Sequence, residues 1–234
     1  NLSGAVNATL ADATATGTII NDENAAPTIT NLSGDSVAWA GVGNTVVLDV
    51  AGNAALADAE LGALNSGNGN WSGASLVIQR NGTAVSSDVL GFDTAGALFT
   101  VSGSNLQSGG QTFATFTNTG GVLTITFTSS GTTATTALVN DVAQRITYRN
   151  DTPAGDANVK VTLNDGAGAS ATANVTVASD FIYVTNANDT ATIDPSNGTS
   201  FSEAVAIAAA DATGTQTIVF ASSLAGQALN LNAV

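Results

Sequence analysis

The chain has 234 residues, with 18 Asp and Glu against 4 Lys and Arg, a net charge of −14, and no His, Cys or Met. A field of that sign repels nucleic acid and anionic membranes. The missing residue types exclude Ser-His-Asp and Cys-His catalysis, disulfide staples, and the imidazole or thiolate ligands that zinc prefers.

A chain without Met is expected to be a piece of a longer polypeptide, so the absence of a leader at Asn1 carries no information. The nearest approach to a long apolar run, Ala204–Ala210, is too short to cross a bilayer. Small residues dominate, which suits many short strands and tight turns.

Residues 1–24 contain one expected strand, Thr14–Ile20, with an acidic stop at Asp22-Glu23. The phrase Gly17-Thr-Ile-Ile-Asn-Asp22 resembles the closing strand of a Calx-beta module. An orphan strand of that kind is a candidate for strand complementation, within the chain or with an identical copy.

Ala25-Ala-Pro27 marks a boundary, and residues 25–178 are expected to form the main domain. Thr28–Leu32 and Asn44–Val50 read as strands, followed by a long loop over residues 51–74 that contains Asp58, Glu60 and Trp71. Ser75–Arg80 and Thr83–Ser86 flank Asn81-Gly82, the signature of a type I′ hairpin. Asp88 and Asp93 fall in a second loop, before a strand at Leu98–Ser102. The organising stretch is Gly120–Asn150. Leu123, Ile125 and Phe127 alternate with Thr in a strand, and Leu138, Val142 and Ile146 then recur at helical spacing. A helix is expected from Thr133–Ala134, with a returning strand at Ile146–Tyr148. Val159–Leu163 and Ala171–Val177 are strands across the turn Asn164-Asp165-Gly166. Roughly seven to nine short antiparallel strands argue for a mainly β fold, an antiparallel sandwich with one short helix.

Several phrases are together similar to the cadherin-like, Ig-like modules of giant bacterial secreted and surface adhesins. They are Asp58-Ala-Glu60, Trp71-Ser-Gly-Ala-Ser-Leu, Gly120-Gly-Val-Leu-Thr-Ile-Thr-Phe, Ile146-Thr-Tyr-Arg-Asn and Asn164-Asp-Gly166. The resemblance implies an extracellular or cell-surface spacer or adhesive unit, often calcium-binding, with neighbouring modules of the same polypeptide as partners. Family members commonly leave the cell by type I secretion.

Residues 179–234 follow a different pattern. A strand at Phe181–Thr185 leads into a polar loop, then into a helix announced by Ser200 and Glu203 as a capping box. Short strands are expected at Thr217–Phe220 and Ala228–Leu231. Val184-Thr-Asn-Ala-Asn-Asp189, the Ser-Glu-Ala-Val helix and Leu224-Ala-Gly-Gln-Ala-Leu-Asn-Leu resemble the start of a pectin-lyase-like, right-handed parallel β-helix. There a helix caps the first coil. The expected unit is a truncated cap, packed on the sandwich or completed by another chain.

Oxygen-rich loops without His or thiolate suit Ca²⁺, which takes six to eight oxygen ligands. The candidate ligands are Asp58 and Glu60, then Asp165, then Asp88 and Asp93, with Asp22 and Glu23 at the linker. The bland alternative for each is a solvated carboxylate or an Asx turn. Catalysis is not expected. Asp189, Asp194 and Glu203 supply carboxylates for glycoside chemistry, but Glu203 reads better as a cap and one coil makes no groove. Trp71, with Trp39 and Tyr183, is the candidate for stacking on surface glycans, against a core role for each.

Overall fold

The computed structural model describes residues 6–7, 24–190, 192–212 and 214–231. The strand expected at Thr14–Ile20, and with it Asp22 and Glu23, lies outside the described residues. In chain order the first strands are β1 (Thr28–Thr30), β2 (Ser36–Ala38), β3 (Val46–Val47), β4 (Ala55–Ala57), β5 (Ser75–Arg80), β6 (Val89–Phe92) and β7 (Thr100–Ser102). They are followed by β8 (Asn105–Ser108), β9 (Gln111–Thr119), β10 (Val122–Phe127), β11 (Ile146–Arg149), β12 (Ala157–Asn164), β13 (Ser170–Ala178), β14 (Phe181–Val184) and β15 (Thr217–Phe220). The helices are α1 (Ala59–Ala63), α2 (Thr136–Gln144) and α3 (Phe201–Ala210). The protein is mainly β, with several sheets and, among the described residues, no closed barrel.

The largest sheet has eight strands in the order β2-β13-β12-β5-β10-β9-β8-β7. Its neighbours are antiparallel except β2, which lies parallel to β13. Register follows from the apolar alternation. Ala173, Val161, Ile78 and Leu123 form one cross-strand row, and Leu163, Leu76 and Ile125 form the next. Slipping any strand by one residue would turn its Val, Ile and Leu to the opposite face. A second sheet, β3-β11-β6, sets Tyr148 opposite Val46 and Leu90. Both sheets feed one apolar cluster that contains Leu76, Ile78, Leu123, Ile125 and Phe127 from the first and Leu90, Ile146 and Tyr148 from the second. Each such side chain contributes about 1.5–3 kcal/mol when fully buried.

The expected strand–helix–strand unit is present, and its role is to change sheets. β10 belongs to the large sheet, β11 to the small one, and α2 makes the crossing. The Thr135 hydroxyl caps α2 by accepting from the Leu138 N–H at 3.4 Å. Leu138, Val139, Val142 and Ala143 form its buried face.

Several expectations are corrected. Asn81-Gly82 does not turn a hairpin, because β5 pairs with β10 and β12 and no strand forms over Thr83–Ser86. A type I′ turn needs positive φ at both positions. Gly82 has φ +92° but Asn81 does not share it, and its N–H bonds to the Asn158 carbonyl at 2.8 Å. Residues 51–74 are not a plain loop, since they hold β4 and α1. The loop expected from Asp88 to Asp93 contains β6, and β8 and β9 fill a stretch where no strand was expected.

Beyond β13 the chain runs almost directly into β14, which pairs in parallel with β15. α3 lies between them in sequence and packs on both. Asn188 and Asn230 form a further parallel bridge where the strand over Ala228–Leu231 was expected. Ile182, Val184, Ala204 and Leu224 make a separate small core. Ser200 and Glu203 form the capping box read from the sequence.

This unit is fastened to the rest of the fold by several bonds and rings. The Gly155 N–H bonds to the Phe181 carbonyl at 3.0 Å and the Tyr183 N–H to the Pro153 carbonyl at 2.7 Å. The Ser179 N–H bonds to Asp156 Oδ1 at 2.8 Å. Trp39 lies against Phe181 and Tyr183, with ring centroids 5.3 and 6.4 Å apart.

Candidate functional site

The bend from β4 into α1 begins at Asp58, whose backbone is extended (φ −150°, ψ 133°) and whose Oδ1 accepts from the Leu61 N–H at 2.8 Å. That is an N-cap, and it explains why the chain turns here. The cap uses only one oxygen. Asp58 Oδ2 and Glu60 Oε2 are both buried and have no hydrogen-bond partner among the described residues. Asp49 repeats the pattern: Oδ2 accepts from the Ala54 N–H at 2.6 Å, and buried Oδ1 has no partner there. A bare buried carboxylate oxygen is costly, so these atoms are the places where a cation would be stabilising.

The following turn is held rigidly. The Asn70 N–H bonds to the Leu61 carbonyl at 2.9 Å, and Asn70 Oδ1 accepts from the Ser129 hydroxyl at 2.7 Å. Gly69 has φ +83°, and a Cβ there would sit 2.2 Å from Thr136 Oγ1, so only glycine fits. Trp71 is completely buried, and its indole N–H donates to Thr136 Oγ1 at 3.0 Å. Its ring is a core anchor and presents no face to a sugar.

The remaining candidates sit apart from this bend in function. Asp165 closes its own turn, with Oδ1 accepting from the N–H groups of Ala167, Gly168 and Ala169 at 2.7, 2.9 and 3.0 Å. Its Oδ2 accepts from Asn24 at 2.7 Å. Desolvation pushes the carboxyl pKa up, but the Asn24 amide and those three N–H groups outweigh it and hold Asp165 below its ordinary value. Asp93 Oδ1 accepts from the Ala95 N–H at 3.0 Å, a local Asx turn.

Asp88 is buried and engaged on both oxygens. Oδ2 accepts from Arg80 Nε at 3.0 Å, while Oδ1 accepts from Arg80 Nη2 at 2.8 Å, the Tyr148 hydroxyl at 2.6 Å and Asn150 Nδ2 at 2.8 Å. Protein donors thus fill the role that the loop reading gave to a metal. Desolvation is the largest influence on Tyr148 and raises its pKa. For Arg80, desolvation acts to lower the pKa, but Asp88 and Tyr148 overcome it and the net shift is upward.

Sequence reasoning missed this network. The available signal was scarcity: Arg80, Arg145, Arg149 and Lys160 are the only cations in the chain, and all three Arg lie against Asp. Arg145 bonds Asp141 at 3.0 Å, one helical turn away. Arg149 Nε lies 3.4 Å from Asp151 Oδ1, a pairing by proximity without hydrogen-bond geometry.

Among the described residues no group of three or more acidic side chains converges as a metal cage. A cation at the α1 bend would draw on Asp58 and Glu60, with carbonyl, amide and water oxygens completing its shell. No helix among the described residues is long and apolar enough to cross a membrane. No protein-family model matches the chain, and no curated protein resembles it at a significant level.

Proposed function

We propose that this chain is a calcium-binding structural and adhesive module of a large extracellular, surface-anchored or secreted bacterial protein. Its main part reads as a cadherin-like sandwich, supported by α2 crossing between two sheets that share one apolar cluster. The C-terminal part reads as the helix-capped first coil of a parallel β-helix, supported by the parallel pairing of β14 with β15 and of Asn188 with Asn230.

The observation that carries the calcium reading is the pair of buried, unpartnered oxygens on Asp58 and Glu60. Hard oxygen donors beside a capped helix start suit Ca²⁺, whose flexible coordination tolerates an irregular shell. The bound ion would neutralise both carboxylates and fix the β4–α1 bend to the core below it. Thermal melts in calcium and in excess chelator test this. A midpoint raised by calcium is expected, and an unchanged midpoint refutes the reading.

A second reading, a subunit of an extracellular fibre or sheet, is favoured by one observation. Among the described residues β15 pairs only with β14, and Phe220 at its end and Leu231 next to the Asn188–Asn230 bridge are about half exposed. Sedimentation across a concentration series decides it: polymers that vanish on deleting residues 1–24 support it, and a monomer throughout removes it.

A further inference from the structure

A cleft of about 320 Å³ opens where the main domain meets the C-terminal unit. Arg80, Ser87 and Asn150 line one wall, and Thr185, Asn197 and Thr199 line the other. The volume lies at the small end of the range typical of small-molecule sites, which are common where two domains meet. In a chain of net charge −14, no Asp or Glu lines this cleft.

Its hydrogen-bonding capacity is incompletely used. Arg80 commits Nε and Nη2 to Asp88 and Tyr148, and Nη1 makes no hydrogen bond with the described residues. Ser87 Oγ accepts from Asn150 Nδ2 at 3.1 Å, which leaves its proton free to donate. Thr185 Oγ1 accepts from the Thr199 N–H at 2.9 Å and is left in the same state. Asn197 donates its amide to Asp194 Oδ2 at 3.2 Å, which leaves its carbonyl oxygen as an acceptor. Three donors and an acceptor thus line one space from two walls that belong to separate apolar cores.

We propose that this cleft binds a neutral saccharide of one or two rings. Uncharged polyols match a wall of hydroxyls and amides that both donates and accepts. An anion is disfavoured, because Asp88 already neutralises Arg80 and the surrounding field is strongly negative. Asp88 and Tyr148 hold the Arg80 guanidinium, and Asn150 braces Asp88 in turn, so the free edge of Arg80 is fixed before a ligand arrives. The bound sugar would bridge the two walls. This site is independent of any cation at Asp58 and Glu60.

The test is an NMR titration of the full chain with neutral mono- and disaccharides of glucose, galactose and N-acetylglucosamine, with inorganic phosphate as the anion arm. Saturable shifts at Ser87, Thr185 and Thr199 with at least one sugar are expected. Ser87→Ala and Thr185→Val should each weaken that binding about three- to tenfold, as expected for one lost hydrogen bond. Thr185→Ser, which keeps the hydroxyl, should restore it. The spectrum of each variant away from the cleft reports whether its fold is kept. The proposal is overturned if no sugar gives saturable shifts up to its solubility limit. Phosphate binding in preference to sugar would also overturn it, as would full affinity in both folded variants.

Discussion

Replacing Asp88 with Ala strips a buried carboxylate that accepts four hydrogen bonds from its neighbours. Asp88 accepts two hydrogen bonds from Arg80, one from Tyr148 and one from Asn150, with its side chain 1% exposed. The Arg80 side chain is itself only 11% exposed, so the substitution leaves a charged guanidinium without its counter-ion. Breaking a buried pair by removing one partner costs about 3–5 kcal/mol. For a domain of this size each kcal/mol lowers Tm by about 2–4 °C, so a drop on the order of 10 °C is expected. Guanidinium denaturation monitored by circular dichroism gives the free energy, with an unchanged slope confirming that the folded state is still compact. The double variant Asp88→Leu with Arg80→Leu should recover part of the loss, because it removes both charges together. A loss below about 1 kcal/mol for Asp88→Ala, the value of an exposed ion pair, would refute the view that this network is a buried, interdependent unit.

Further expected outcomes follow from other sites. Gly69→Ala should destabilise the fold by about 2 kcal/mol or more, since the left-handed backbone and the clash with Thr136 Oγ1 act together; chemical denaturation measures it. Glu203 is buried, with Oε2 accepting from the Ser200 N–H at 2.7 Å and Oε1 from the Asp194 N–H at 2.8 Å. Glu203→Ala should therefore unfold the C-terminal unit at lower denaturant than the main core, seen as early amide exchange across α3 and β15. Asp165 has a folded pKa below the ordinary 3.8, so its stabilisation is present above about pH 4 and lost as pH falls through the lowered value. Asp165→Asn should flatten the acid limb of Tm against pH. Tyr148 is shifted upward from 10.0, so its contribution holds below pH 10 and fades as pH rises beyond that. Tyr148→Phe should remove this alkaline sensitivity.

What the sequence revealed depended on how strongly each segment's pattern matched its environment. β10, β12 and β13 bury alternate residues, so their period-two runs of Val, Ile and Leu were legible. α3 was legible from Ser200 and Glu203, because a capping box needs those residue types at that spacing. β8 and β9 escaped notice: their Ser, Thr, Asn and Gln residues mask the few inward side chains, Leu106, Phe113 and Ala114. β6 was hidden by Gly91, which reads as a turn but sits close beneath Thr147 of β11, where a Cβ would lie 3.1 Å from Oγ1. Asn81-Gly82 misled because strand order, a long-range property, overrode a local turn signal. At the α1 bend, Asp58 and Glu60 were visible as acidic residues in a long connection, but their bare oxygens depend on packing that no local pattern encodes. The Arg80 network was equally hidden, because Arg80, Asp88, Tyr148 and Asn150 meet only when β5, β6 and β11 are assembled.

Calcium titration calorimetry on the chelator-treated chain and on the double variant Asp58→Asn with Glu60→Gln bears most directly on the proposed function. Two carboxylates with carbonyl and water oxygens predict a dissociation constant of about 0.1–1 mM, the range of extracellular calcium modules. Calcium at a hundredfold excess over that constant would stabilise the fold by about 2.7 kcal/mol. The account predicts a saturable binding heat for the unmodified chain and none at that site for the double variant. Equal binding heats for the two proteins, or no heat for either, would contradict it.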